Sequence, residues 1–161
     1  MTGTGTATYT NGNSYVGAVV DGKPQGKGAM TYADGFRYDG DWQAGVRQGQ
    51  AVASWSDGTT YTGSYVNGQR EGKGDLVQPD GFKYSGDWKA GQIEGTGIAT
   101  YPEGDVYEGS FVAGKREGQG VLRYSNGKEA AGLWVKGVLT APAAPADPAA
   151  EAPAPATDAG N

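Results

Sequence analysis

Residues 61–83 read YTGSYVNGQREGKGDLVQPDGFK, and the architecture is built from this 23-residue unit. Its opening Tyr-x-Gly recurs at four other places with an unbroken step of 23 residues, and an aromatic or apolar residue follows each glycine two positions later. The recurring tyrosines are Tyr15, Tyr38, Tyr61, Tyr84 and Tyr107. Five units in one register, without an insertion, form an internal repeat that composition bias cannot produce.

Each unit also carries a Gly-x-Gly pair, such as Gly72 and Gly74, and the second unit departs from it once with Gly49 and Ala51. Half-units flank the five full ones, because residues 3–14 match a second half and residues 130–140 match a first half. The sequence therefore begins in mid-repeat. Either a lone strand caps the array, or the sequence is a fragment whose true N-terminus is missing.

Side-chain alternation within a unit predicts two short strands, with Tyr38, Gly40 and Trp42 on one face of the first. The strand glycines leave room for a neighbouring ring to lie across the backbone. Asx-Gly pairs such as Asp34-Gly35 favour hairpin turns in which both central residues have positive φ. One hairpin cannot bury enough apolar surface alone, so the units must stack. We predict an all-β fold, an elongated single-layer antiparallel sheet in which hairpins stack as a solenoid.

The consensus Tyr-x-Gly-x-aromatic-x-x-Gly-x-x-x-Gly-x-Gly resembles the MORN repeat (membrane occupation and recognition nexus) over residues 3–138. The resemblance implies assembly or tethering as the type of role. The predicted organisation is an N-terminal half repeat at 3–14, full repeats at 15–37, 38–60, 61–83, 84–106 and 107–129, and a C-terminal half repeat or cap at 130–140. Residues 141–161 hold ten Ala and five Pro without an aromatic or basic residue, which predicts a disordered tail.

Composition excludes several kinds of chemistry. Without Cys or His the chain has no disulfide framework, none of the usual zinc sites and none of the common nucleophile–base pairs. Asp39 and Asp41 project from one strand, but no other unit repeats the pair, so we interpret them as solvated surface. We predict no catalytic residue, no cofactor and no metal site.

Charge and hydropathy give weaker indications about partners and compartment. The net charge is −5, and residues 1–140 hold all 13 Lys and Arg against 15 acids, which disfavours nucleic acid and anionic lipid as partners. No apolar run approaches the ~20 residues of a membrane span. The N-terminal residues lack the pattern of a signal peptide. The compartment remains unknown, with the cytoplasm slightly favoured, since a targeting segment is missing if the sequence is a fragment.

Two surfaces are candidates for partner binding. The aromatic stripe is expected to form the hydrophobic core. Because a single-layer sheet cannot bury both of its faces, we also expect part of the stripe to contact a partner. Its residues are Tyr38, Trp42, Trp55, Tyr61, Tyr65, Tyr84, Trp88, Tyr101, Tyr107 and Phe111. The second surface is a loop edge of charged residues that either neutralise one another or recognise an extended partner: Arg47, Arg70, Glu71, Glu94, Arg116 and Glu117.

The leading functional hypothesis is a non-catalytic scaffold for protein–protein interaction or tethering. The resemblance keeps two alternatives open, a module that binds membrane phospholipid and the regulatory MORN region of a larger enzyme such as a kinase or a methyltransferase. A choline-binding cell-wall repeat is disfavoured because no two aromatic residues are adjacent. Open strand edges at Gly3–Thr10 and Ala130–Val135 predict weak homodimerisation.

Overall fold

The chain folds into one open antiparallel sheet, which the computed structural model describes over residues 2–143. Within these residues the chain forms thirteen strands that pair strictly in chain order, and the predicted all-β single-layer architecture is confirmed. The predicted tail lies outside the described residues, apart from 141–143, where Ala141 and Pro142 pair as the end of the last strand, so the prediction of disorder is wrong for these two residues. The strands are β1 (Thr2–Thr8), β2 (Ser14–Val20), β3 (Lys23–Thr31), β4 (Arg37–Gln43), β5 (Val46–Ser54), β6 (Thr60–Val66), β7 (Gln69–Val77), β8 (Lys83–Lys89), β9 (Gln92–Thr100), β10 (Val106–Val112), β11 (Lys115–Arg123), β12 (Glu129–Val135) and β13 (Val138–Pro142).

The C-terminal end of the sheet differs from the prediction. Ala130–Val135 lies within β12 and pairs with β13, so it is not an open edge. The cause is a tight turn at Lys136-Gly137, which pairs Val135 with Val138 and adds one more strand. The outer strands of the described sheet are therefore β1 and β13, and weak homodimerisation through them remains a prediction.

A two-residue turn closes the hairpin inside each unit. In the second unit it consists of Ala44 at φ 49° and Gly45 at φ 85°, the signature of a type I′ turn. Its right-handed twist matches the twist of the two strands that it joins. The first turn residue is left-handed in every unit: Asp21, Ala44, Asn67, Ala90, Ala113 and Lys136.

The Asx-Gly segments form a longer loop between units, so the prediction that both of their residues have positive φ is wrong. At Asp34-Gly35 only the glycine is left-handed, at φ 90°. The amide of Gly35 donates to the carbonyl of Tyr32 at 2.9 Å, and the Asp34 carboxylate accepts from the amide of Phe36 at 2.9 Å. The aspartate thus caps a backbone N–H two residues on, as Asp commonly does in turns.

Replacing Ala90 by asparagine is expected to stabilise the protein by about 0.5–1 kcal/mol, because a left-handed φ is costly for alanine and tolerated by asparagine. The equivalent turn at Asn67-Gly68 supplies the matched reverse change, Asn67→Ala, which should destabilise by a similar amount. Urea unfolding measures both. Equal midpoints for Ala90→Asn and the unchanged protein would contradict the expectation.

The tyrosines that open the five units are the most deeply buried large side chains of the described sheet. Each ring lies over the backbone of the next strand, and the hydroxyl of Tyr61 donates to the carbonyl of Ser64 at 2.9 Å. A Cβ built at Gly74 would lie 2.3 Å from that hydroxyl oxygen. The prediction that strand glycines make room for rings is confirmed at these positions.

The first position of each Gly-x-Gly pair requires glycine for a different physical reason. Gly72 lies where the register between β6 and β7 shifts, after Gly63↔Gly74, and its φ is 75°. This bulge lets the strand bend around the ring of Tyr61. The pair therefore combines a residue chosen for its backbone conformation with one chosen for the absence of a side chain.

Raising the pH is expected to unfold the sheet from about pH 10, where phenols in the unfolded chain ionise. Burial raises the pKa of Tyr84 to about 12, and it is the main cause of raised pKa values at Tyr15, Tyr38, Tyr61 and Tyr107. Between the two pKa values the unfolded chain binds fewer protons than the folded one, so stability falls as pH rises.

The midpoint of urea unfolding measures this pH dependence, and Tyr84→Phe is the matched control because it removes one titrating phenol. The control should lose less stability over the same pH range. A midpoint that stays constant up to about pH 12 would contradict the expectation.

Candidate functional site

The predicted aromatic stripe does lie on one face of the sheet, but most of it is interior. Eight of its ten residues are at most 4% exposed, and only Trp55 and Tyr101 are partly exposed. The rings pack edge to face, for example Tyr61 with Trp88 at a centroid distance of 5.2 Å. Only Trp55 and Tyr101 of this set therefore offer an appreciable surface to a partner.

Three further partly exposed rings were left out of the predicted stripe: Phe36 and Phe82 lie in the longer loops, whereas Tyr32 holds the same repeat position as Trp55 and Tyr101 and could have been found from the 23-residue step. Phe36 contacts Tyr32 at a centroid distance of 5.3 Å and Trp55 at 5.0 Å. Phe82 contacts Tyr101 at 5.8 Å. The rings thus form two exposed clusters along the same face, Tyr32–Phe36–Trp55 and Phe82–Tyr101.

The arginines that were assigned to the loop edge lie over these rings. Arg47 is 5.4 Å from the ring centroid of Phe36. Arg70 is 4.5 Å from the Trp88 ring and 5.6 Å from the Trp55 ring. These distances are typical of cation–π contact. We call the three arginines Arg47, Arg70 and Arg116, together with the two exposed ring clusters, the ring–arginine face.

None of these three guanidinium groups is ion-paired within residues 2–143. Arg70 instead donates to the carbonyl of Gly91 at 2.8 Å, and Arg116 donates to that of Gly137 at 2.9 Å. Burial lowers the pKa of the Arg70 guanidinium from its ordinary value. Arg70 and Arg116 therefore carry positive charges that are held in place by carbonyl groups and rings.

The glutamates of the loop edge have different partners. Glu71 accepts from the amide of Ala90 at 2.8 Å, and Glu117 accepts from the amide of Lys136 at 2.8 Å. Each carboxylate thus caps the tight turn of the following unit, while Glu94 occupies the equivalent position between them. Charge neutralisation by Arg–Glu pairs along the edge, one of the two readings from the sequence, does not occur in the described residues. Recognition of a partner by this edge remains a prediction.

A groove of about 350 Å³ separates Arg47 and Arg70. Phe36, Trp55 and Tyr65 supply its apolar lining, and Asp34 also lines it. Trp and Arg are enriched among the residues that dominate protein–protein binding energies. The groove therefore combines apolar area with two positive charges that no described carboxylate pairs with.

Several charges on the opposite face of the sheet are paired. Lys27 lies 2.6 Å from a carboxylate oxygen of Asp41, and Lys73 pairs with Asp87 in the same way two units later. A hydrogen bond from Lys27 is the main cause that holds the pKa of Asp41 below its usual value. Asp39 pairs with Arg37 at 3.1 Å. The two carboxylates that share this strand therefore have separate cationic partners.

No group of three or more Asp or Glu side chains within residues 2–143 is placed to hold a metal ion. The same residues include no helix of the length and apolarity that crossing a bilayer requires.

Comparison with known proteins agrees with the repeat organisation. The family model described as MORN repeat matches the chain five times, over residues 15–37, 38–60, 61–82, 84–106 and 107–129. No curated protein matches the chain. The matched segments coincide with the five predicted units, apart from one residue at the end of the third.

Comparison with solved structures gives further matches. One is the TCP domain of Drosophila melanogaster SAS-4 (dCPAP) in complex with a proline-rich motif of Ana2 (dSTIL), with a TM-score of 0.50 and 18% identity over 80% of this chain and 70% of that chain. Another is the TCP10 domain of Danio rerio CPAP in complex with a STIL peptide, with a TM-score of 0.22 and 12% identity over 80% of this chain and 77% of that chain. At 18% identity the first likeness concerns the fold alone.

Proposed function

The chain belongs to the MORN-repeat family, and from this premise we propose that it is a non-catalytic scaffold whose ring–arginine face binds a protein partner. One observation carries the proposal. Exposed rings and arginines that lack carboxylate partners are concentrated on one face, whereas Lys27 and Lys73 on the other face are paired. A surface that combines aromatic area with unpaired guanidinium groups is typical of protein interfaces.

The fold likeness supports a protein as the partner. The Drosophila SAS-4 domain, which has a similar fold, was solved with a short protein segment bound. A lipid surface is less well supported, because the net charge is −5 and the exposed lysines Lys27 and Lys73 are neutralised by Asp41 and Asp87. Lipid binding is therefore the competing outcome that the experiment must distinguish from protein binding.

The experiment compares two double variants with the same change in net charge. Arg47→Gln/Arg70→Gln removes both cations of the groove, and Lys27→Gln/Lys73→Gln removes two cations from the opposite face. Tagged chains are cross-linked in the source cell, and recovered proteins are quantified against the unchanged chain. Partners should fall at least about tenfold with the arginine variant, a loss of about 1.4 kcal/mol, and persist with the lysine variant.

Two results would overturn the proposal. Equal recovery of every partner with both variants would show that the ring–arginine face does not bind protein. Salt-resistant flotation of the chain with phosphatidylserine vesicles, lost with the arginine variant, would assign the face to lipid. Circular dichroism and thermal unfolding of each variant establish that a loss of binding is not a loss of fold.

A further inference from the structure

Three positions of the ring–arginine face repeat every 46 residues, twice the length of a unit. Phe36 and Phe82 are 46 residues apart, as are Trp55 and Tyr101, and Arg70 and Arg116. The tryptophans beneath follow the same step, since Trp42, Trp88 and Trp134 each donate through Nε1 to a glycine carbonyl at 2.9–3.0 Å. The intervening units have Tyr65 and Phe111 at that position, which lack the indole donor.

The same contacts are therefore built twice. In the first copy Arg70 lies 4.5 Å from the Trp88 ring and 5.6 Å from the Trp55 ring. In the second copy Arg116 lies 4.6 Å from the Trp134 ring and 5.6 Å from the Tyr101 ring. We name these subsite 1 (Phe36, Trp55, Arg70) and subsite 2 (Phe82, Tyr101, Arg116).

The distance between the subsites follows from the sheet. Arg70 lies in β7 and Arg116 lies in β11. These strands are four positions apart in a sheet whose strands pair in chain order. At ~4.8 Å per strand the two guanidinium groups lie about 19 Å apart along the face. An extended polyproline II segment covers that distance with about six residues, at ~3.1 Å each.

The two subsites differ at Trp55 and Tyr101 and also in the residues beside them, which makes the face directional. Arg47 lies beside subsite 1, and the residue 46 positions later is Ile93, which is partly buried against the core. Subsite 1 therefore lies in a groove with two cations, whereas subsite 2 has one cation and an apolar neighbour.

We propose that one extended, acidic, proline-containing protein segment binds both subsites at once, with a carboxylate on Arg70 and a second on Arg116. The proposal rests on the proposed function and names the chemistry of its partner. Carboxylates suit guanidinium groups that have no described ion pair. Proline rings suit partly exposed aromatic side chains, and an extended segment suits sites arranged in a line along a sheet.

The test measures binding of fluorescent Ala/Pro peptides to the full chain by anisotropy. One peptide carries two glutamates about six residues apart, which matches the ~19 Å between the subsites. The comparison peptides carry two glutamates two residues apart, a single glutamate, or two lysines in place of the widely spaced glutamates. The widely spaced peptide should bind at least about tenfold more tightly than the single-glutamate peptide, because its second contact is intramolecular.

Single variants show whether both subsites take part. Arg116→Gln should reduce binding of the widely spaced peptide to about that of the closely spaced peptide, since only the widely spaced peptide can bind both subsites at once. Lys73→Gln, on the opposite face, should change neither. Equal binding of the one- and two-glutamate peptides, or an advantage that survives Arg116→Gln, would overturn the proposal.

These failures are distinguishable from failure of the proposed function. If cellular partners are lost with Arg47→Gln/Arg70→Gln while peptide spacing has no effect, the face binds protein in another way and the two-subsite proposal is wrong. If neither the partners nor the peptides respond to the arginine variants, both proposals are wrong.

Discussion

Replacing Gly63 by alanine is expected to destabilise the array by about 4 kcal/mol, because the new methyl group has no space and its neighbours cannot move. A Cβ built at Gly63 lies 2.5 Å from the carbonyl oxygen of Lys73 and 2.6 Å from the Cα of Gly74, both of them backbone atoms of the paired strand. The hydroxyl oxygen of Tyr61 follows at 2.7 Å. The paired strands β6 and β7 would have to separate.

Two other glycines provide graded controls, followed by urea unfolding with tryptophan fluorescence and circular dichroism. A methyl group at Gly74 meets mainly the ring of Tyr61, and the second unit already accommodates Ala51 at this position, so Gly74→Ala should cost clearly less than Gly63→Ala. Gly5 in β1 has no atom within 4 Å of an added Cβ, so Gly5→Ala should have little effect. Equal stabilities of the Gly63 and Gly5 variants would contradict this reading of the sheet.

Truncating Tyr61 to alanine is expected to cost about 3–5 kcal/mol, the range for removing a large aromatic side chain from a well-packed interior. Tyr61 is 0% exposed, and its ring contacts those of Tyr65 and Trp88 at centroid distances of 5.4 and 5.2 Å. Arg70 lies 5.8 Å from its centroid. The cavity would therefore open below subsite 1, in the middle of the array.

The matched control is Tyr61→Phe, which keeps the ring and removes only the hydroxyl bond to the carbonyl of Ser64. It should cost about 1 kcal/mol, the usual net value of one hydrogen bond. Chemical denaturation of both variants separates ring packing from hydrogen bonding. A phenylalanine variant as unstable as the alanine variant would show that the hydroxyl, rather than the ring, holds the strand pair together.

The repeat register could be predicted from the sequence because it depends on local alternation. The step of 23 residues and the period of two placed Tyr38, Gly40 and Trp42 on one face, and all three are buried there. The tight turns were harder to recognise, since Ala44 carries no turn signal of its own. Its left-handed conformation is imposed by the strand pairing on either side, which is not a local property.

The partners of the charged side chains could not be predicted, because they depend on contacts between units. Arg70 and Glu71 are adjacent in sequence, yet Arg70 donates to a carbonyl 21 residues later and Glu71 accepts from an amide 19 residues later. The exposed fraction of the aromatic stripe could not be predicted from the sequence either. Bare glycine backbone lets a ring such as Tyr61 lie flat against the next strand, so a single layer buries its aromatics without a second sheet.

The thirteen described strands pair strictly in chain order, so the length of the sheet grows in equal steps with the number of units. Each unit adds two strands, or about 10 Å, without altering how any other unit is paired. Removing one unit between Arg70 and Arg116 would halve their separation, and inserting one would lengthen it by half. Gain or loss of whole units therefore changes the spacing of side chains along the sheet in fixed increments of about 10 Å, while each hairpin keeps its own structure.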